Sequence, residues 1–330
     1  MPVDVLYLSA AETRQVLDAA QAMHLVEQAL RWQADGQIVW SDPAVLNLQT
    51  RDPDSHYRLK GCYLRTVEAV GFRVTGFHVH PTGAGSGAPD NTRFVILSDP
   101  RTGRPQAIID EHWTYNVRTV AAAAVAARYL ARRDSAVLGL VGSGQLATTG
   151  LVLLDSLFHF REVRVTSRRP ESREGFAHRM RGQIGGELRP VDSPRDAVVG
   201  ADLVVTCTSA NTRLVEADWL ERGVFVCALG RGELADAVYE TADKIVMDSW
   251  QASQEAADVR GLVARGVLSR ERLHAELGEI VAGLRPGREA PEERIVARIE
   301  GLASQDVAIA HWVVAEARCR HLGTIIPAGF

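Results

Sequence analysis

The segment Ser135-Ala-Val-Leu-Gly-Leu-Val-Gly-Ser-Gly-Gln-Leu-Ala147 restricts the fold of this chain more than any other. Val137 to Val141 is a short apolar run, the pattern of a strand buried on both faces. It leads into Gly142-Ser143-Gly144-Gln145-Leu146-Ala147, which fits G-x-G-x-x-A. Thr148 to Phe160 follows as a helical pattern, with Leu151, Leu154 and Leu157 on one face. Strand, glycine turn and helix in that order predict a βα unit that binds a dinucleotide. Gly142 permits the tight turn, Gly144 lets backbone approach a pyrophosphate, and Ala147 lets the helix pack close to the strand. The N–H groups and dipole at the helix start favour the phosphates. In a chain with 28 glycines, G-x-G alone carries little, and the order of elements carries the reading. A plain strand–helix turn is the alternative.

The pattern continues downstream. Glu162 to Ser167 reads as a second strand, Phe176 to Ile184 as a helix and Leu188 to Val191 as a third strand. Pro194 to Val199 reads as a short helix capped by Ser193. Ala201 to Thr208, Gly223 to Gly230 and Lys244 to Asp248 read as buried strands. Such alternation predicts a parallel, doubly wound sheet. Ser253 to Leu284 reads as helical with interruptions at Gly261 and Gly266, and Asp306 to Leu322 as a last amphipathic helix. Upstream the grammar differs. Ala10 to Ala34 reads as one helix, with Ser9 and Glu12 as a capping box. Short strands follow between Ile38 and Thr75, and a hairpin joins Thr92–Ser98 to Gln106–Asp110 through Asp99-Pro-Arg-Thr-Gly-Arg-Pro. Thr82 to Pro89 is a glycine-rich loop, read as a surface loop because no helix follows it. Asn116 to Leu130 is an alanine-rich helix between the two regions. The fold class is therefore α/β: a Rossmann doubly wound parallel sheet plus a second α/β domain.

A chain of 330 residues has room for both. With 46% hydrophobic and 24% charged residues it has the composition of a soluble globular protein. A net charge of −4, with scattered arginines, predicts no nucleic-acid partner. No apolar run is long enough to span a bilayer, so no membrane role is expected. Met1-Pro-Val-Asp does not open a signal peptide, and a cytoplasmic protein is the expectation. Cys62, Cys207, Cys227 and Cys319 lack zinc-site or disulfide-framework spacing and read as buried free thiols.

The end of the second strand bears on cofactor choice. An Asp or Glu there holds the ribose hydroxyls of NAD, and an arginine replaces it where a 2′-phosphate must fit. Here the strand ends Val165-Thr166-Ser167-Arg168-Arg169, with no acid. Ser167 and Arg168 suit a phosphate, which favours NADP(H) over NAD(H). Two arginines ending a sheet edge are the alternative reading. His78, His80 and His112 are candidates for proton transfer, His78 and His80 sharing one face of a strand. A third ligand to accompany His-x-His is not apparent, and no metal is predicted.

Several stretches together resemble the ornithine cyclodeaminase/mu-crystallin family. They are Asn116-Val-Arg-Thr-Val-Ala-Ala with Tyr129-Leu-Ala-Arg, Gly142-Ser-Gly-Gln, Asp99-Pro-Arg-Thr-Gly-Arg-Pro, Thr206-Cys-Thr-Ser, Val224 to Gly230 with Glu233-Leu, and Gly287-Arg-Glu through Gly301 and Asp306. The resemblance implies a substrate-binding and dimerisation domain from residues 1–118 with 305–330, and an NAD(P)-binding Rossmann domain from 119–304. It implies a homodimer, and a cofactor set that adds Thr206, Thr208, Ser209 and Leu229 to Gly142, Ser143, Gly144, Gln145, Leu146, Ser167 and Arg168. The arginine with which the family grips a substrate carboxylate is matched by Arg118. The family's site lysine falls on Arg73, which binds a carboxylate but does not readily give up a proton. An early family arginine falls on Ala44, and Lys60 is the candidate replacement. Where the cyclodeaminases carry an aspartate after the fifth strand, this chain has a shortened loop with Arg231, which favours a second anionic group over an amine. The resemblance implies an NAD(P)-dependent oxidoreductase acting at a C=N or C–N bond of a small amino or imino carboxylate. Arg73, Arg118, Lys60, His80 and Arg231 are its candidate substrate-site residues. A cyclodeaminase-like lyase that recycles NAD and a non-catalytic nucleotide-binding protein remain the alternatives.

Overall fold

The computed structural model describes residues 3–51, 55–78, 91–254 and 256–328. In chain order it has β1 (Val3–Leu8), α1 (Ala10–Val16), α2 (Ala19–Ala34), β2 (Ile38–Trp40), β3 (Leu46–Gln49), β4 (Ser55–Leu64), β5 (Ala69–His78), β6 (Asn91–Ser98), β7 (Pro105–Asp110) and α3 (His112–Leu130). Then come β8 (Val137–Val141), α4 (Gln145–Phe158), β9 (Glu162–Thr166), α5 (Pro170–Met180), β10 (Glu187–Pro190), α6 (Pro194–Val198), β11 (Leu203–Thr206), β12 (Phe225–Ala228), α7 (Asp236–Glu240) and β13 (Lys244–Met247). The chain ends with α8 (Trp250–Ser253), α9 (Ala257–Ala264), β14 (Ala275–Glu276), α10 (Leu277–Val281), β15 (Ile295–Arg298), α11 (Ala303–Cys319) and β16 (Thr324–Ala328). Two compact units result: Met1–Arg118 with Leu302–Phe330, and Thr119–Gly301.

The first unit is a mixed sheet in the order β16-β1-β7-β6-β5-β4-β2, with β3 also paired to β4. Only β1 and β7 run parallel among its pairs. Helices α1, α2 and α11 pack on one face. The inward positions of β5 are Gly71, Arg73 and Thr75, all buried. A Cβ on Gly71 would stand 2.9 Å from a Val307 methyl, so glycine there lets α11 approach the strand. The N-terminal helix expected as one piece is two. Leu17 adopts an extended conformation, and Asp18 restarts the chain by accepting from the Gln21 N–H. The capping box of Ser9 and Glu12 forms as expected. Strands β1 and β16, which lie side by side, have too little sequence pattern to be anticipated.

The second unit is an all-parallel sheet in the order β10-β9-β8-β11-β12-β15-β13-β14. Strands β8, β11, β12, β13 and β15 are buried at every position, as expected for a sheet covered on both faces. The long interrupted helix expected over Ser253–Leu284 is corrected. It is three short helices and a two-residue strand, with Gly261 inside α9 and Gly266 in a turn at φ +73°. Helix α3 starts at His112, four residues before the expected boundary, and runs from the first unit into the second.

Candidate active site

The second unit gathers its functional groups at the carboxyl ends of its strands, where ligands bind in open α/β sheets. Gly142 follows β8 with φ +124°, and a Cβ there would lie 2.9 Å from Cys207 Sγ and 3.0 Å from its carbonyl oxygen. Gly144 is different. It has φ −84° and ψ −166°, is exposed, and a Cβ on it would meet nothing within 4 Å. The protein's own packing gives no reason for glycine at 144, while a phosphate laid against the backbone would. Gly144 is the N-cap of α4 and offers no side chain to the first N–H groups, next to Gln145 and Leu146. Ser143, half-buried, completes the turn. Thr206, at the end of β11, is fully buried, and its Oγ1 has no hydrogen-bond partner. These features fit a dinucleotide.

Two loops beside this turn share one anchor. The buried Glu233 carboxylate accepts from the Thr208 N–H at 2.7 Å and from the Gly230 N–H at 2.9 Å. A Cβ on Gly230 would lie 2.4 Å from that carboxylate. Glu233 therefore fixes Thr208, Ser209 and Leu229, and the Leu229 N–H donates to the Thr206 carbonyl. After β9, Arg168 is exposed, while the Ser167 hydroxyl donates to the Arg169 carbonyl at 3.1 Å. Arg231 follows β12, and its side chain, 41% exposed, pairs with Glu300 at 2.9 Å. Glu300 also takes Arg298 Nη1 at 2.7 Å, and Arg298 Nη2 reaches both oxygens of Asp258 at 3.1–3.2 Å. Asp248 accepts from the N–H groups of Ser249, Glu300 and Gly301, and burial raises its pKa against those bonds.

The first unit holds a buried cluster of charge. Lys60 and Arg73 stand directly opposite each other on β4 and β5 and share the inward face. Like charges so placed are destabilising without anions nearby. Glu111 and Asp306 supply them. Arg73 Nε donates to both oxygens of Glu111 at 2.7 Å and lies 3.6 Å from Asp306. Arg118 Nε approaches Asp306 at 2.8 Å as an ion pair, outside the alignment of a hydrogen bond. Glu111 and Asp306 are at most 3% exposed. Burial pushes the Glu111 carboxyl up to about 7, opposed by Arg73 and reinforced by Asp306. These contacts use the Nε edge of each guanidinium. The two terminal nitrogens, the fork that grips a carboxylate, carry none of them.

The structure thus brings Arg73, Arg118 and Lys60 together in one unit and groups the cofactor candidates and Arg231 in the other. His80 lies outside the described residues, as does the glycine-rich loop, and nothing is described of the His78 side chain. Both ring nitrogens of His112 have partners, Asp110 at 2.6 Å and the Asn91 carbonyl at 3.0 Å. No metal-binding group of His, Cys, Asp and Glu occurs among the described residues. The cysteines are free, but only Cys62 and Cys227 are buried: Cys207 is half-buried and Cys319 exposed. Sequence reasoning did not assign Glu111, Asp306, Arg298, Glu300 or Glu233 a place in these clusters. The family stretches quoted above contain Glu233, Arg298, Glu300 and Asp306, but buried ion pairs between distant segments leave no local pattern.

The family model of the ornithine cyclodeaminase/mu-crystallin family matches residues 4–320. The chain belongs to this family. It is 30% identical over 98% of both chains to the alanine dehydrogenase of Archaeoglobus fulgidus. Among solved structures, the Δ1-pyrroline-2-carboxylate reductase of Thermococcus litoralis, in complex with NADH and L-proline, superposes with a TM-score of 0.90 at 27% identity. That match covers 98% of this chain and all of the other. An archaeal alanine dehydrogenase dimer with bound NAD gives 0.88 at 30% identity, over 98% and 99% of the two chains. Among the described residues no helix is long and apolar enough to cross a membrane.

Proposed function

We propose that this protein is an NAD(P)-dependent oxidoreductase acting at the carbon–nitrogen bond of a small amino or imino carboxylate. The observation that carries this reading is the pair Arg73 and Arg118, buried, with their Nε edges held by Glu111 and Asp306 and their terminal nitrogens left for a planar anion. Two relatives that superpose over almost the whole chain bear nicotinamide cofactors, one of them together with an amino acid.

The residues divide the work. Gly142 to Leu146 and the start of α4 would hold the pyrophosphate, with Thr206, Thr208, Ser209 and Leu229 beside it. The nicotinamide, when bound, supplies or accepts the hydride. Arg73 and Arg118 fix the carboxylate and so orient the adjacent carbon and nitrogen. Lys60 adds positive potential on the same face. Arg231, anchored through one nitrogen and partly exposed, suits a second anionic group on the substrate. Arg168 at the end of β9, with no acid beside it, supports NADP(H) over NAD(H).

A homodimer fits the outer face of the first sheet. Leu46, Leu48, Tyr57 and Phe72 are 44–53% exposed there on β3, β4 and β5, with Leu48 directly opposite Tyr57. The opposite face of β4 and β5 is buried, and a second copy would cover this open apolar one.

The test is turnover of Δ1-pyrroline-2-carboxylate, iminosuccinate and L-alanine with NADPH or NADP⁺ and with NADH or NAD⁺, on protein whose mass is measured by light scattering. A sustained change at the nicotinamide absorbance band, larger with the phosphorylated cofactor, is expected. Product formed without net absorbance change would instead identify a lyase that regenerates its nucleotide. Tight nucleotide binding without turnover would identify a binding protein.

A further inference from the structure

Tyr115 lies in the arginine cluster of the first unit and has no role so far. It sits on α3, one turn before Arg118 and one turn after Glu111, and is half-buried. Three guanidinium carbons surround its ring: Arg93 at 3.9 Å from the centroid, Arg118 at 4.9 Å and Arg73 at 5.2 Å. They come from β6, α3 and β5, so the ring is held from three elements. The Tyr115 backbone N–H donates to the carbonyl of Glu111, the residue just before α3, at 2.7 Å. Glu111 and Asp306 face the ring through Arg73 and Arg118, which they hold by Nε. A carboxylate forked on the terminal nitrogens of Arg73 or Arg118 would lie against this ring. Its α-nitrogen is two bonds from the carboxylate carbon. The phenol is therefore within one side chain's reach of the atom that must gain or lose a proton.

We propose that Tyr115 donates the proton to the substrate nitrogen during reduction and accepts it during oxidation. As hydride from the reduced nicotinamide reaches the imine carbon, the C=N π pair moves to nitrogen. Nitrogen forms its new N–H bond with the proton of Tyr115 Oη, and the phenolate is later reprotonated from water. The imine takes up a hydride at carbon and a proton at nitrogen, two electrons and two protons in all, and the nicotinamide gives up the two electrons with the hydride. The three guanidiniums stabilise the phenolate. Burial by itself would raise the phenol's pKa, but Arg118, Arg93 and Arg73 overturn that and leave it below the usual phenol value. The proposal rests on the carboxylate site of the preceding section.

The experiment compares wild type with Tyr115→Phe and Arg93→Gln. First, tyrosinate absorbance is titrated without substrate or nucleotide. One of the six tyrosines should ionise below the rest, and Tyr115→Phe should remove that step. Second, reduction of Δ1-pyrroline-2-carboxylate by NADPH is followed against pH. Tyr115→Phe should lower kcat about 10²- to 10⁴-fold with KM changed less than about threefold. In wild type kcat should fall at high pH as the donor is lost, and Arg93→Gln should move that limb upward. A Tyr115→Phe enzyme that melts like wild type and keeps its kcat and pH profile would overturn the proposal while leaving the carboxylate site intact. So would a titration with no early tyrosine. A wild-type enzyme inactive on every substrate tested would remove the carboxylate reading, and this proposal with it.

Discussion

The two units each bury arginines among carboxylates, but they use the guanidinium in opposite ways. In the second unit Arg298 is 1% exposed, and its terminal nitrogens are fully engaged, one by Glu300 and the other by Asp258, leaving Nε without a partner. In the first unit Arg73 and Arg118 meet Glu111 and Asp306 through Nε. A guanidinium whose fork is closed on the protein's own acids ties loops together. One gripped by its inner edge presents its fork to something else. The sheet topology agrees with this division. Arg298 ends β15, and Asp258, on α9, also accepts from the Gly232 N–H in the loop after β12. Arg298 thus joins three segments of the second unit.

The largest expected effects separate these roles. Arg118→Met should raise KM for a carboxylate substrate by about 10²- to 10³-fold, the loss of a buried charged contact worth roughly 3–4 kcal/mol. Nucleotide affinity, measured by fluorescence titration, should stay within about twofold. Arg298→Met leaves Asp258 and Glu300 without their main cation and should cost about 3–5 kcal/mol of folding stability by denaturant titration. Its substrate KM, read under conditions where the variant stays folded, should move far less than in Arg118→Met. An exchange of these two phenotypes would break the comparison.

A second difference lies in pH. Glu111 is raised to about 7 by burial, against about 4.3 in an unfolded chain. Between those values the native state keeps a proton that the unfolded state has released. The contribution is therefore fully present below about pH 4.3 and is lost as pH rises through about 7. Glu111→Gln should remove that part of the slope when unfolding free energy is measured from pH 4.5 to 8. Asp248, also raised, contributes with the same sign and should remain. A slope unchanged in Glu111→Gln would show that Arg73 holds Glu111 ionised throughout.

Much of this architecture is legible in the sequence because its signals are local. The βα turn at Gly142–Ala147, the capping box at Ser9 and the apolar runs of β8, β11 and β12 each declare themselves within a dozen residues. What was not legible depends on distant partners. Strand β15 is four residues long and gains its identity by inserting between β12 and β13. The split at Leu17–Asp18 was hidden because apolar spacing runs on through it. Glu111 and Asp306 lie almost 200 positions apart and meet only in the fold. Single titratable residues in a helix start read as solvated until burial is known.

Glycines divide in the same way as the arginines, and they give the smallest expected effect. Gly139, within β8, would place a Cβ 2.4 Å from the Ala197 carbonyl oxygen, so its lack of a side chain is required by the helix packed over it. Gly144 would place one in open space with an ordinary backbone conformation. Gly139→Ala should therefore destabilise the fold by about 1–3 kcal/mol through a backbone clash that cannot relax by rotating a side chain. Gly144→Ala should leave folding stability within about 0.5 kcal/mol, yet weaken nucleotide binding about tenfold, roughly 1.4 kcal/mol, because the added methyl stands where a pyrophosphate would touch backbone. Titration calorimetry with NADPH and NADH reads the second effect, and thermal unfolding without nucleotide reads the first. Full nucleotide affinity in Gly144→Ala would mean that the space above the turn is not where the phosphates lie.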